Sequence, residues 1–268
     1  MKSEQGIKNM VKEKYGRIAR QARETGAASC CGSGCGCSGD VAVMADDYFQ
    51  KEGYVAEADL GLGCGIPTDV AVINPGDTVL DLGCGAGNDV FVARRIVGEE
   101  GVVIGVDMTE AMIEKANANK HKLGFQNVEF RLGEIESLPV GSNSVDVIIS
   151  NCVLNLVPNK ERAFAEIHRV LKPGGHFSIS DIVLRGNLPI PILGAVEMYA
   201  GCVSGATQRD EYLELVEQAG FLQVSVKKEK PITLSDEILL EYLTQSELAQ
   251  FRSSGAMIES ITVYGEKT

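Results

Sequence analysis

Apolar residues recur along this chain with two periods that alternate regularly between residues 77 and 184. "DTVLDLG" (77–83), "GVVIGVD" (101–107), "VEFRLG" (128–133), "VDVIIS" (145–150) and "HFSISDIVL" (176–184) are short runs rich in Val, Ile and Leu, and read as strands. Between them, "NDVFVARRIVG", "TEAMIEKANANKHKLG" and "ERAFAEIHRVL" space their apolar residues as helices do. Thr109 is an expected N-cap and Gly124 an expected stop, while Pro173-Gly174-Gly175 ends the third helix. Strands that are nearly continuous apolar runs, alternating with helices, predict a mostly parallel sheet covered on both faces.

The pattern differs on either side of this block. Ile7, Met10, Val11, Tyr15 and Ile18 fall on one helical face, and "ETGAASCCGSGCGCSGD" (24–40) then has almost nothing to bury and reads as a loop. Beyond residue 185 a helix is expected near 193–202, and "RDEYLELVEQAG" is a second. "FLQVSVKKEK" and "IESITVYGEK" alternate like an antiparallel pair returning to the sheet, and "SDEILLEYLTQSELAQF" between them reads as one helix outside it. Three regions result: 1–60, a helix and cysteine-rich loop; 61–185, the alternating strand–helix block; and 186–268, additions that return strands to the sheet.

Charge narrows the partners. The 268 residues carry 25 Lys and Arg against 37 Asp and Glu, a net charge of −12, which repels a polyanion and argues against nucleic acid. No run reaches the 18 apolar residues of a membrane span, and the first twenty residues have no apolar signal core. A cytoplasmic protein, by default a monomer, is expected. There thiols stay reduced, so the eight cysteines ask for an explanation other than a disulfide framework.

"VLDLGCGAGND" places Gly83, Gly85 and Gly87 between a strand and a helix. Such a loop brings backbone close to a ligand and presents a helix N-terminus to its anionic group. The spacing is G-x-G-x-G, not the dinucleotide G-x-G-x-x-G. Asp81 can meet an ammonium group, and Asp107, 20 residues after Gly87, can take both hydroxyls of a ribose. A carboxylate, an ammonium and a ribose together describe S-adenosylmethionine. "DLGCGAG", "GVDMTEAMIEKA" and "RVLKPGG" resemble the class I S-adenosylmethionine-dependent methyltransferases over about residues 75–185. That resemblance implies their Rossmann-like α/β fold and makes "GEIESLP" the adenine segment, with Glu134 on the exocyclic amine and Ile135 offering its backbone. Met108 and Asn151 complete the cofactor contacts it suggests.

The acceptor is read from sulfur. Of the three histidines, His121, His168 and His176, none is placed as a general base, and all read as structural or exposed. Cys152, just past a strand end, would on its own read as a small buried hydrophobe. Cys64 in "GLGCGIP" and Cys202 in "MYAGCVSG" come from distant parts of the chain and could converge with it. Thiolates suit a soft centre, and without a C-x-x-C pair zinc is disfavoured. Three sulfurs with no fourth ligand fit trigonal pyramidal trivalent arsenic, whose lone pair is a nucleophile that needs no base. "VKEKYG" followed by "CCG", with "GLGCGIP", "IISNCVLNLVPNK" and "VEMYAGCVSGA", resembles the arsenite S-adenosylmethionine methyltransferases over nearly the whole length.

That resemblance implies methyl transfer to As(III) bound by Cys152 and Cys202. It makes Cys64 the third ligand or a partner in a turnover disulfide, and gives a fourth role to Cys30 or Cys31, with Cys31 favoured. Thioredoxin or glutathione would then serve as reductant. Cys35 and Cys37 exceed the pattern, and Cys84 is read as packing near the cofactor. Two alternatives stay open from the residues alone: methylation of another small molecule, or metalloid binding without transfer.

Overall fold

The computed structural model describes residues 3–25, 48–194, 202–203 and 205–268. Seven strands form one sheet in the order β3-β2-β1-β4-β5-β7-β6. They are β1 (Thr78–Leu82), β2 (Val102–Asp107), β3 (Val128–Leu132), β4 (Val145–Asn151), β5 (Leu171–Arg185), β6 (Leu222–Ile232) and β7 (Met257–Glu266). The first five run parallel, and β7 lies antiparallel between β5 and β6. The chain therefore winds outward from β1 to β3, then returns to start again at β4. The crevice between the C-terminal ends of β1 and β4 is the switch point where open α/β sheets hold ligands.

Each face of the sheet is covered, which is why the strands carry apolar residues in both phases. On one face Leu80, Leu82, Ile104 and Ile148 pack with Phe164 and Ile167 of α4 (Lys160–Val170). On the other, Val79, Val103, Val147 and Ile149 pack with Val90 and Phe91 of α2 (Asn88–Val97) and Met112 of α3 (Glu110–Leu123). The first helix, α1 (Glu4–Thr25), lays Ile18 and Ala19 on this second face. Its Val11 joins a third cluster at the C-terminal rim of the sheet, so the amino-terminal segment packs against the sheet rather than standing apart from it.

Several local expectations need adjustment. Thr109 is the N-cap of α3 by position, but its side chain makes no capping bond; Gly124 closes the helix in the left-handed conformation, at φ 71°. The single helix expected over "SDEILLEYLTQSELAQF" is two, Asp236–Leu240 and Gln245–Ser253, because Thr244 starts the second with a capping box to Glu247. Of the helix expected near 193–202, only a short turn at Ile190–Gly194 is described, and the rest lies outside the described residues. The helix at Arg209–Gln218 and the closing β6–β7 pair stand where the pattern puts them. No described helix is long and apolar enough to cross a membrane.

Candidate active site

The glycine loop follows β1 directly. The N–H groups of Gly83 and Cys84 both donate to the Val106 carbonyl, at 2.7 and 3.0 Å, which folds the loop back over β2. Gly83 has φ 67°, and a Cβ there would sit 2.6 Å from the Val153 side chain. Gly87 has φ 98° and begins α2, with no side chain capping the helix. Free helix N–H groups are thereby left facing the crevice. Asp107 is fixed by two backbone donors: its Oδ2 accepts from Gly85 at 3.0 Å and its Oδ1 from Thr109 at 2.7 Å.

Over this loop lies a cavity with about 1140 Å3 of empty space including its open mouth. Asp81, Asp89 and Asp107 all line it. Burial, then the charges of Asp89 and Asp107, pushes the Asp81 carboxyl well above its ordinary range. Burial also raises Asp89 to about 6, against the hydrogen bonds of Tyr48 and Asn151. Three crowded carboxylates are costly without a counter-charge, and a ligand with an ammonium and a sulfonium would supply one. Together with the open space beside Gly85, where a Cβ would meet nothing within 4 Å, the residues fit S-adenosylmethionine.

Other residues at the cavity separate into two groups. Met108 and Ile135 line it, as does Cys84. Glu134 does not: its carboxylate is held by Lys8 at 2.7 Å and Lys12 at 3.2 Å, both from α1. The neighbouring carboxylate that faces the cavity is Glu136, buried and bridged by Lys8 at 3.0 Å. The sequence reading did not single out Glu136, Lys8, Tyr48 or Asp89. The only local trace of Asp89 is an acid two residues after Gly87, a position any helix start favours.

Cys64, Cys152 and Cys202 are all buried, with free thiols, in one apolar cluster at the rim of the sheet. Cys152 follows β4 at φ 61°, and its N–H donates to the Ser180 carbonyl at 2.7 Å. Cys202 lies at φ 65°, and its Sγ donates to the Cys152 carbonyl at 2.8 Å. Non-glycine residues seldom occupy this region, at roughly 1–3 kcal/mol each, and they gather at functional sites. The Cys64 carbonyl accepts from Ser260 Oγ at 2.6 Å, tying the loop to β7.

Hydrogen bonds from the other two thiols, followed by burial, push Cys152 well above the usual thiol range; burial first raises Cys64. Among the described residues no three His, Cys, Asp or Glu side chains already stand as a metal-ligand group, and the Cys152 thiol is within hydrogen-bonding reach of those of Cys64 and Cys202. Nearby, Asp181 of β5 is wholly buried and accepts the Tyr212 hydroxyl at 3.1 Å. Lys160 reaches the Gly205 carbonyl. Cys30, Cys31, Cys35 and Cys37 lie outside the described residues. His168 meets Phe221 edge to face and His176 lies tilted against Tyr264, while His121 is exposed, as expected of structural or surface positions.

Asn151, expected on the cofactor, lines the cavity, but its carboxamide bonds to the Cys64 loop: Oδ1 accepts from Cys64 N–H at 3.0 Å, and Nδ2 donates to the Gly65 carbonyl at 2.7 Å.

A doubly wound sheet with this loop and cavity at its switch point defines a methyltransferase-type domain, and a family model described as a methyltransferase domain matches residues 73–220. An arsenite methyltransferase of Halobacterium salinarum is 44% identical over 244 residues, covering 85% of this chain and 61% of that protein. One of Aquipseudomonas alcaligenes is 33% identical over 240 residues, covering 87% and 67%. The crystal structure of an arsenic(III) S-adenosylmethionine methyltransferase from Chlamydomonas reinhardtii superposes with TM-score 0.66 at 35% identity, covering 77% of this chain and 68% of that one. The chain belongs to the arsenite methyltransferase family, and it spans only about three fifths of the Halobacterium relative's length.

Proposed function

We propose that this protein transfers a methyl group from S-adenosylmethionine to trivalent arsenic held by Cys64, Cys152 and Cys202. The observation that carries the reading is the adjacency of these three thiols, from three separate parts of the chain, with Cys152 lining the same cavity as Asp81 and Asp107. Bound S-adenosylmethionine supplies a methyl carbon made electrophilic by its sulfonium. Of the residues that line the cavity, Asp81 would meet the amino-acid ammonium, Asp107 the ribose, and Ile135 with Met108 the adenine. The thiols surrender their protons as arsenite surrenders hydroxide, so each As–S bond formed releases water. The arsenic lone pair forms the As–C bond while the carbon–sulfonium bond breaks, leaving a neutral thioether. The chain's share is mainly positioning, which is worth about 7–11 kcal/mol when reacting atoms are held in line.

Arsenic is formally oxidised by two electrons in this step. The thiolate of Cys31, or of Cys30, attacks a ligand sulfur; an S–S bond forms and the As–S electron pair returns to arsenic. Thioredoxin or glutathione then reduces the disulfide. The reaction runs in a monomer in the cytoplasm. Incubating the protein with arsenite, a reduced thiol and methyl-labelled S-adenosylmethionine tests the reading. Label on arsenic in the wild type, none in Cys152→Ser, and undiminished S-adenosylhomocysteine binding in that variant are expected. Cofactor binding without label on arsenic in the wild type would remove arsenic as acceptor.

A further inference from the structure

The Asn151 carboxamide has every hydrogen-bonding position engaged. Its Oδ1 accepts from the N–H groups of Cys64 at 3.0 Å and Gly65 at 3.3 Å. Its Nδ2 donates to the Gly65 carbonyl and the Tyr48 hydroxyl, each at 2.7 Å, and at 3.3 Å to Asp89 Oδ2. Two donors on one side and three acceptors on the other admit a single amide orientation. Tyr48 is held in turn, its hydroxyl donating to Asp89 Oδ1 at 2.7 Å. The packing is close enough that a Cβ on Gly63 would fall 2.6 Å from Nδ2. One side chain therefore grips the backbone on both sides of Cys64, while its own backbone runs directly into Cys152.

We propose that Asn151 is a positioning residue for the metalloid, fixing the Cys64 loop against Cys152 so that both thiols engage one arsenic atom. The inference rests on the assignment of those thiols as arsenic ligands. When two donors are set in place beforehand, the second As–S bond closes as an intramolecular step. With the clamp gone, the Cys64 loop must be ordered during binding, and affinity falls without any ligand being removed. The distinction from a cofactor contact is experimental, because Asn151 also borders the cofactor cavity.

Arsenite affinity, followed by near-ultraviolet As–S absorption, and S-adenosylhomocysteine affinity, followed by calorimetry, are to be measured for Asn151→Ala, Gly63→Ala, Cys64→Ser and the two combinations with Cys64→Ser. Asn151→Ala and Gly63→Ala should each weaken arsenite binding about 10- to 100-fold, the usual range for residues that orient a ligand. S-adenosylhomocysteine affinity should fall far less than arsenite affinity, since Asn151 only borders the cofactor cavity. In the Cys64→Ser background neither change should cost more, since the thiol they position is already absent. Losses that multiply, or an Asn151→Ala protein that binds arsenite normally but S-adenosylhomocysteine weakly, would overturn the proposal. Should Asn151→Ala fail to fold, Gly63→Ala carries the same comparison. Full arsenite affinity in Cys64→Ser would instead strike the ligand assignment, and the proposal would fall with it.

Discussion

Asp181 is wholly buried on β5, with Lys160, Tyr212 and the thiols of Cys64 and Cys202 around it. Burial, opposed by the Lys160 charge and the Tyr212 hydroxyl, raises its carboxyl to about 7. In the unfolded chain the same group titrates near 4. Between those values the native protein holds a proton that the unfolded chain has released, so stability falls as pH rises. The contribution is full below about pH 4 and gone once pH passes about 7. Asp181→Asn should remove it. Urea unfolding from pH 4.5 to 8 should show the wild type losing stability relative to the variant across that window, and a constant difference above it. A difference independent of pH throughout would mean the carboxyl is already ionised in the native state.

The same scale separates what the sequence discloses from what it hides. Asp81, Gly83, Gly85, Gly87 and Asp107 are legible because a strand, a tight turn and a helix start fix their relation within 27 residues. Tyr48 and Asp89 are not, since their hydrogen bond joins residues 41 apart and exists only after a poorly patterned segment folds over α2. Glu134 and Glu136 show a finer limit. Both are plausible in "GEIESLP", and the choice between them depends on which way Lys8 and Lys12 of α1 draw each carboxylate.

Among the elements, helices and strands are legible where apolar period and punctuation agree. Asn159 illustrates the agreement, accepting the Arg162 N–H at 2.9 Å at the start of α4. Residues 236–253 illustrate a conflict. Ile238, Leu239, Leu243, Leu248 and Phe251 keep a near-helical spacing, and period alone joins them into one helix. The Thr244-x-x-Glu247 capping signature divides them, because the Thr244 hydroxyl accepts the Glu247 N–H at 3.3 Å and a second helix begins there. The break lets Leu239 and Leu248 both reach the apolar rim that holds the three cysteines. Thr244→Ala should cost about 1 kcal/mol of stability, typical of a lost N-cap. Its urea midpoint should fall while the cofactor affinity stays unchanged, since the cap touches no residue of the cavity. A midpoint equal to the wild type would show that packing of Leu248 and Phe251 alone holds the helix start.

On the scale of the molecule, the strand order is what the pattern could not supply. That the last two strands return to the sheet is readable from their alternation; that the last one inserts between β5 and β6 is not, because pairing partners leave no periodic trace. The insertion matters for the site. β7 pairs with β5 along ten positions from His176–Glu266 to Arg185–Met257, and on its other edge with β6. Its Ser260 holds the Cys64 carbonyl, and its Thr262 hydroxyl pairs with that of Ser180 at 2.8 Å. Ser180 is also the residue whose carbonyl takes the Cys152 N–H. The final strand thus supports two of the three thiols, although it lies more than 50 residues beyond the last of them. A chain shortened to end at Ser253 would leave the long apolar edge of β5 unpaired, an aggregation-prone state, and would free the Cys64 loop. It should fail to give a cooperative thermal transition and should bind neither arsenite nor S-adenosylhomocysteine. The full chain should unfold in one transition, shifted upward by S-adenosylhomocysteine. If the shortened chain folded and still bound S-adenosylhomocysteine while losing arsenite, the nucleotide-binding block would be separable, and the support from β7 would belong to the thiol site alone.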